Sequence, residues 1–194
     1  MSPHANEICF QLPQWLDNHA GHYSPTTDVN EQMRFVVGAA RRNVLEQTGG
    51  PFAAAVFEVD NGTLVSLGVN LVATQGLSVL HAEIVALSLA QHLCKSHDLS
   101  RAGQGRHRLV SSVEPCAMCL GAIPWSGVKE VVTGARDADA RAIGFDEGHK
   151  PAAWESGLRQ RGIEVTTGVL REAARDVLRL YQQQGGPIYG PQNA

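Results

Sequence analysis

His81 to Lys95 reads HAEIVALSLAQHLCK and Arg108 to Cys119 reads RLVSSVEPCAMC, a helix-length apolar run followed by a short β-branched run that ends on a proline. In the first, Ile84, Val85, Leu87, Leu89 and Leu93 spread over most of a helical circumference, which predicts a helix sandwiched in the core. In the second, residues 108–113 predict a strand, and Pro115 at its exit predicts a helix starting near Cys116. Pro124 should end or kink that helix after about two turns, because it lacks an N–H and clashes with the preceding turn.

Working outward, Asp28 and Glu31 stand at capping-box spacing, and Met33, Val36, Val37 and Ala40 share a helical face until Gly49-Gly50-Pro51 stops the run. Residues 52–60 (FAAAVFEVD) and 63–70 (TLVSLGVN) flank Asn61-Gly62, a strong hairpin signal. Downstream, residues 130–134 and 163–169 predict strands joined by a Gly-rich, charged connection, and residues 170–183 carry a helical pattern. A hairpin followed by alternating helices and strands predicts an α/β fold: a three-layer α/β/α sandwich around a mixed five-stranded sheet. Neither a repeat nor a linker divides the chain, so residues 1–194 are expected to form a single domain. Residues 1–27 are expected to be an extended N-terminal arm, and residues 184–194 an irregular tail.

Composition narrows the function. Sixteen Lys and Arg against 19 Asp and Glu give a net charge of −3, without the basic excess that binds long nucleic acids. The four cysteines, Cys9, Cys94, Cys116 and Cys119, are unevenly spaced, and the N-terminus lacks a basic start and an apolar run. A reducing, cytoplasmic setting is the expectation, with no membrane partner.

The chemistry concentrates in His81-Ala82-Glu83 and Pro115-Cys116-Ala117-Met118-Cys119. Two cysteines at a helix start can turn toward one ion, where the helix dipole and free N–H groups favour their thiolates. Such a set suits a soft tetrahedral metal such as zinc. His81 brings the protein ligands to three, which leaves a fourth position for the water that catalysis needs. Glu83, two residues beyond His81, then stands as a general acid/base beside that water rather than as a ligand. Taken alone, the cysteine pair also fits a redox dithiol or a structural metal site, and Glu83 an ordinary first-turn acid.

Together these residues resemble the zinc-dependent cytidine-deaminase-like superfamily, whose pattern is H-x-E followed by P-C-x-x-C. Residues 51–55 (PFAAA), Asn70, His81-Ala82-Glu83-Ile84, residues 114–119 (EPCAMC), residues 125–128 (WSGV) and residues 144–148 (GFDEG) are similar to the bacterial guanine deaminases within it. The resemblance implies one Zn2+ per subunit with a catalytic water, held by His81, Cys116 and Cys119, and Glu83 as proton shuttle. It implies Glu147 as a second catalytic carboxylate that accepts N–H donors of the base, Asn70 as a base contact, and Phe52 and Phe145 as packing for the purine faces. The expected reaction is hydrolysis of guanine to xanthine and ammonia, with aminotriazines such as ammeline as further small-molecule substrates. A homodimer is expected, with C-terminal segments covering the partner's site. Pro124 departs from the aliphatic residue expected in the helix after the cysteines.

Three competing readings remain at this level. A transfer-RNA adenosine deaminase shares H-A-E and P-C-x-M-C, but needs a phosphate-binding surface that the charge balance argues against. A cytosine or cytidine deaminase shares the spacing, and an inactive, zinc-stabilised binding module would keep the metal without needing Glu83.

Overall fold

The computed structural model describes residues 8–101 and 105–189. In chain order the elements are α1 (Trp15–Gly21), α2 (Val29–Leu45), β1 (Ala53–Glu58), β2 (Leu64–Val69), α3 (Val72–Gln75) and α4 (Ala82–Leu93). A short 3-10 turn (Leu99–Arg101) leads to β3 (His107–Val113), α5 (Ala117–Ser126), β4 (Glu130–Ala135), α6 (Asp137–Arg141), α7 (Trp154–Arg159), β5 (Glu164–Thr166) and α8 (Arg171–Gln183).

The five strands form one sheet in the order β2-β1-β3-β4-β5. β1 is antiparallel to β2 and to β3, while β3, β4 and β5 are parallel. Side chains alternate across the sheet because strand periodicity is two. Ala53, Ala55, Phe57, Val110 and Val132 enter a core with α1, α2 and α8. Ala54, Val56, Leu109 and Val131 enter a second core with α4, α5 and α7. The result is the expected three-layer α/β/α architecture with a mixed five-stranded sheet.

Several local expectations are corrected. Residues 15–21 of the segment expected to be an extended arm form α1, whose Trp15 and Leu16 join the core. Asp28 does cap α2, but its side chain accepts from Asn30 N at 2.8 Å, while Glu31 pairs with Arg34. The hairpin closes with a wider loop and an irregular register between Val56 and Phe57. Instead of being sandwiched, α4 buries one broad face and leaves Leu93 62% exposed. Helix α5 continues through Pro124 and stops at Gly127, which takes the left-handed conformation (φ 82°). Only two residues follow Pro124 in the helix, so its missing N–H costs a single late hydrogen bond. The charged connection before β5 contains α6 and α7. Among the described residues, no helix is long and apolar enough to cross a membrane.

Candidate active site

Sheet register brings the site together. Ala53 pairs with Val69, Ala54 with Ser111 and Val113 with Ala135. Phe52 before β1, Asn70 after β2, Glu114 after β3 and the chain leaving β4 therefore meet at one edge of the sheet. That edge lies at the carboxyl ends of the parallel strands, where open α/β sheets bind their ligands.

His81 is the N-cap of α4 and Cys116 the N-cap of α5, both with extended backbone and neither spending its side chain on the helix end. Their side chains are thus turned toward each other, with Cys116 Sγ 3.4 Å from His81 Nδ1. Cys119 stands one turn into α5, and the ligand atoms of His81, Cys116 and Cys119 all lie within 4.8 Å of one another. The other cysteines are remote from this set: Cys9 is exposed, and Cys94 follows the far end of α4. Two thiols and one imidazole, with no fourth member in the cluster among the described residues, fit a soft metal that keeps one position open.

The electrostatics agree with metal-ligand chemistry. Cys119 donating to Cys116, together with the His81 ring, pulls the Cys116 thiol down to about 4, which favours the thiolate. Donation to that thiolate, and burial, push the Cys119 thiol up. For His81 burial disfavours the charged ring, but the bond to Cys116 and the charges of Cys116, Glu83 and Glu147 together outweigh it and raise the pKa. Burial and the nearby Cys116 charge push Glu83 up to about 7. Burial, then the charges of Cys116 and Glu83, push Glu147 up to about 8. Two buried carboxylates with raised pKa in one cavity are the arrangement of proton-transfer sites.

A cavity of about 500 Å³ opens over the cluster, and Phe52, Asn70, His81, Glu83, Cys116, Phe145 and Glu147 all line it. Cys119 belongs to the ligand cluster without reaching the cavity wall. Asn70 is buried, and its backbone carbonyl accepts from Asn43 Nδ2 at 3.0 Å. Phe52 and Phe145 meet edge to face, with ring centroids 4.9 Å apart. The loop bearing Glu147 is docked on α5, where the Ala117 N–H donates to the Glu147 carbonyl at 2.9 Å.

Tyr189 also lines the cavity and was invisible in the sequence. It sits in the tail, expected to be irregular and, by the resemblance, to cover a partner's site, yet it lines the cavity of its own chain; a lone tyrosine among Gly and Pro carries no periodic signal. Its ring lies 5.2 Å from that of Phe145, and its buried hydroxyl has no hydrogen-bond partner among the described residues. Ser111 and Glu114 are further wall residues that sequence reasoning did not assign.

An α/β/α sheet with a His/Cys/Cys cluster and a carboxylate beside it defines a class of zinc-binding deaminases. Residues 26–135 match the family described as the cytidine and deoxycytidylate deaminase zinc-binding region, and the chain belongs to that family. Among solved structures it is similar to the guanine deaminase from Nitrosomonas europaea, at 46% identity, covering 93% of this chain and 99% of that one with a TM-score of 0.88. A structure in complex with 2,6-diaminopurine is 47% identical, covers 94% of this chain and 96% of that one, and has a TM-score of 0.87. A guanine deaminase from Bacillus subtilis (strain 168) is 37% identical over 99 residues, 51% of this chain and 59% of that protein. The chain thus matches somewhat under two thirds of that relative's length, and nearly all of the solved proteins.

Proposed function

We propose that the chain hydrolyses guanine to xanthine and ammonia, with zinc held by His81, Cys116 and Cys119. The observation that carries the reading is the convergence of Glu83 and Glu147, both buried, on a cavity whose wall includes His81 and Cys116. Zinc bound there supplies Lewis acidity that lowers the pKa of a coordinated water to roughly 7. Glu83 takes the proton of the attacking water and delivers it to N3 as C2 becomes tetrahedral. It then takes the remaining proton from the new C2 hydroxyl and passes it to the amine, so that the C2–N bond breaks, ammonia leaves and the C2 carbonyl of xanthine forms. In its ionised form Glu147 receives the N1–H and exocyclic N–H donors of the base, for which a carboxylate is the matching acceptor. Asn70 contributes amide hydrogen-bonding groups at the end of β2, and the Phe52 and Phe145 rings pack on the purine.

The Tyr189 ring narrows the cavity, which suits a free base rather than a nucleotide in a chain. The net charge of −3 argues the same way against transfer RNA. Both cores lie on one sheet, which supports a single deaminase domain. Trp125, 84% exposed on α5, supports a homodimer in which this helix is covered. The deciding experiment is ammonia release by zinc-loaded protein from guanine, with adenine, cytosine, cytidine, guanosine and ammeline in parallel. Xanthine formed from guanine in preference to the others is the expected result. Silence on every free base, with turnover of transfer RNA, would replace the reading.

A further inference from the structure

Lys150 is a buried cation that reaches the catalytic apparatus without lining the cavity. Its side chain is 9% exposed, and Nζ donates to the Pro115 carbonyl at 2.9 Å, one residue before Cys116. Asp137 Oδ1 lies 3.0 Å away, held by charge rather than by an aligned hydrogen bond, and Glu114 Oε2 lies at 3.9 Å. The Trp154 ring covers the ammonium, its centroid 5.5 Å from Nζ. Asp137 in turn accepts from Arg141 Nε at 2.6 Å, and the same guanidinium donates to the Gly148 carbonyl at 2.6 Å. The Asp137 N–H donates to Glu114 at 3.0 Å.

One ammonium therefore joins the turn that presents the cysteines to both ends of the loop that carries Glu147. Removing a lysine from water is expensive, and such a group persists only where several partners receive it. Without it, Asp137 would keep Arg141, but Glu114 beside it would lose the cation that it shares with Asp137 and the Pro115 carbonyl its donor. The loop would then lift from α5, breaking the bond from Ala117 N–H to the Glu147 carbonyl. We propose that Lys150 is a positioning residue that locks the Glu147 loop onto the Cys116–Cys119 turn. Its kinetic consequence rests on the role assigned above to Glu147; the locking itself does not.

The test joins a structural and a kinetic readout on zinc-loaded protein. In Lys150→Met the Ala117 amide is expected to exchange with deuterium at least tenfold faster, while zinc content stays at one per chain. The same variant is expected to lose roughly 10- to 100-fold in kcat with KM changed less than threefold. In a Glu147→Gln background the added loss from Lys150→Met should shrink to under twofold, because the two residues act through one step. Lys150→Gln, which keeps an N–H donor without the charge, serves the same cycle if Lys150→Met does not fold. Unchanged Ala117 exchange would overturn the proposal, as would a kcat loss that persists in full without Glu147. If wild-type protein turns over no base at all, the functional reading fails while the exchange measurement still decides the role of Lys150.

Discussion

Glu83 and Glu147 differ in what fixes them. Glu83 is carried by the first turn of α4, two residues after the His81 cap, so its position follows from a short stretch of sequence and a helix. Glu147 lies in a loop that Arg141 ties locally and that Lys150 and the Ala117 N–H tie to the turn after β3, so its position depends on Pro115 and Ala117, far away in sequence. Replacing Glu83 by Gln keeps the side chain's shape and removes its capacity to carry a proton. That variant is expected to retain zinc, read by atomic absorption, and to lose about 10²- to 10⁴-fold in ammonia release. A fully active Glu83→Gln enzyme would contradict the assigned proton path.

Helix α4 can approach the sheet closely because Gly68 of β2 has no side chain. A Cβ at Gly68 would lie 2.5 Å from the Ala82 carbonyl oxygen and 2.5 Å from the Ala86 nitrogen, both backbone atoms that cannot rotate away. Gly68→Ala is therefore expected to cost about 1–3 kcal/mol in urea denaturation. Activity should fall with it, since the displaced turn carries Glu83. On the opposite face Asp139 of α6 accepts from Arg171 Nε and Nη2, both at 2.9 Å, and lies 3.2 Å from Arg175, tying α6 to α8. The Arg171 hydrogen bonds hold the Asp139 carboxyl below its usual range. A depressed acid contributes stability that is present above its unfolded pKa and lost as pH falls through the folded one. Asp139→Asn should thus cost about 1–2 kcal/mol at pH 7, a figure reduced for the partly exposed arginines. The difference from wild type should narrow as pH falls below the ordinary carboxylate range, as measured by thermal unfolding across pH.

For the whole molecule, an ion held by His81, Cys116 and Cys119 would link folding to activity. Ligands from α4 and α5 meet only in the folded chain, so a bound ion stabilises that state and not the unfolded one. Removing it with a strong chelator is expected to abolish ammonia release and to lower the unfolding temperature by several degrees, and added zinc should restore both. An unfolding temperature indifferent to the chelator would mean that the cluster holds no tightly bound ion.

The helical and strand periodicities, Asn61-Gly62, and the spacing of His81, Glu83, Cys116 and Cys119 were legible in the sequence, because each depends on neighbours within a few residues. They set the order of elements, the layered sheet and the composition of the metal cluster. Helix α1 was not legible, since seven residues with only Trp15 and Leu16 buried leave no repeating face. The path of α5 through Pro124 was likewise settled by its surroundings rather than by local preference. Which partners hold the Glu147 loop, and that Tyr189 returns from the tail to the cavity, were decided by tertiary structure alone. These contacts join residues tens of positions apart through single hydrogen bonds, ion pairs and ring contacts, and such pairings leave no period or spacing along the chain.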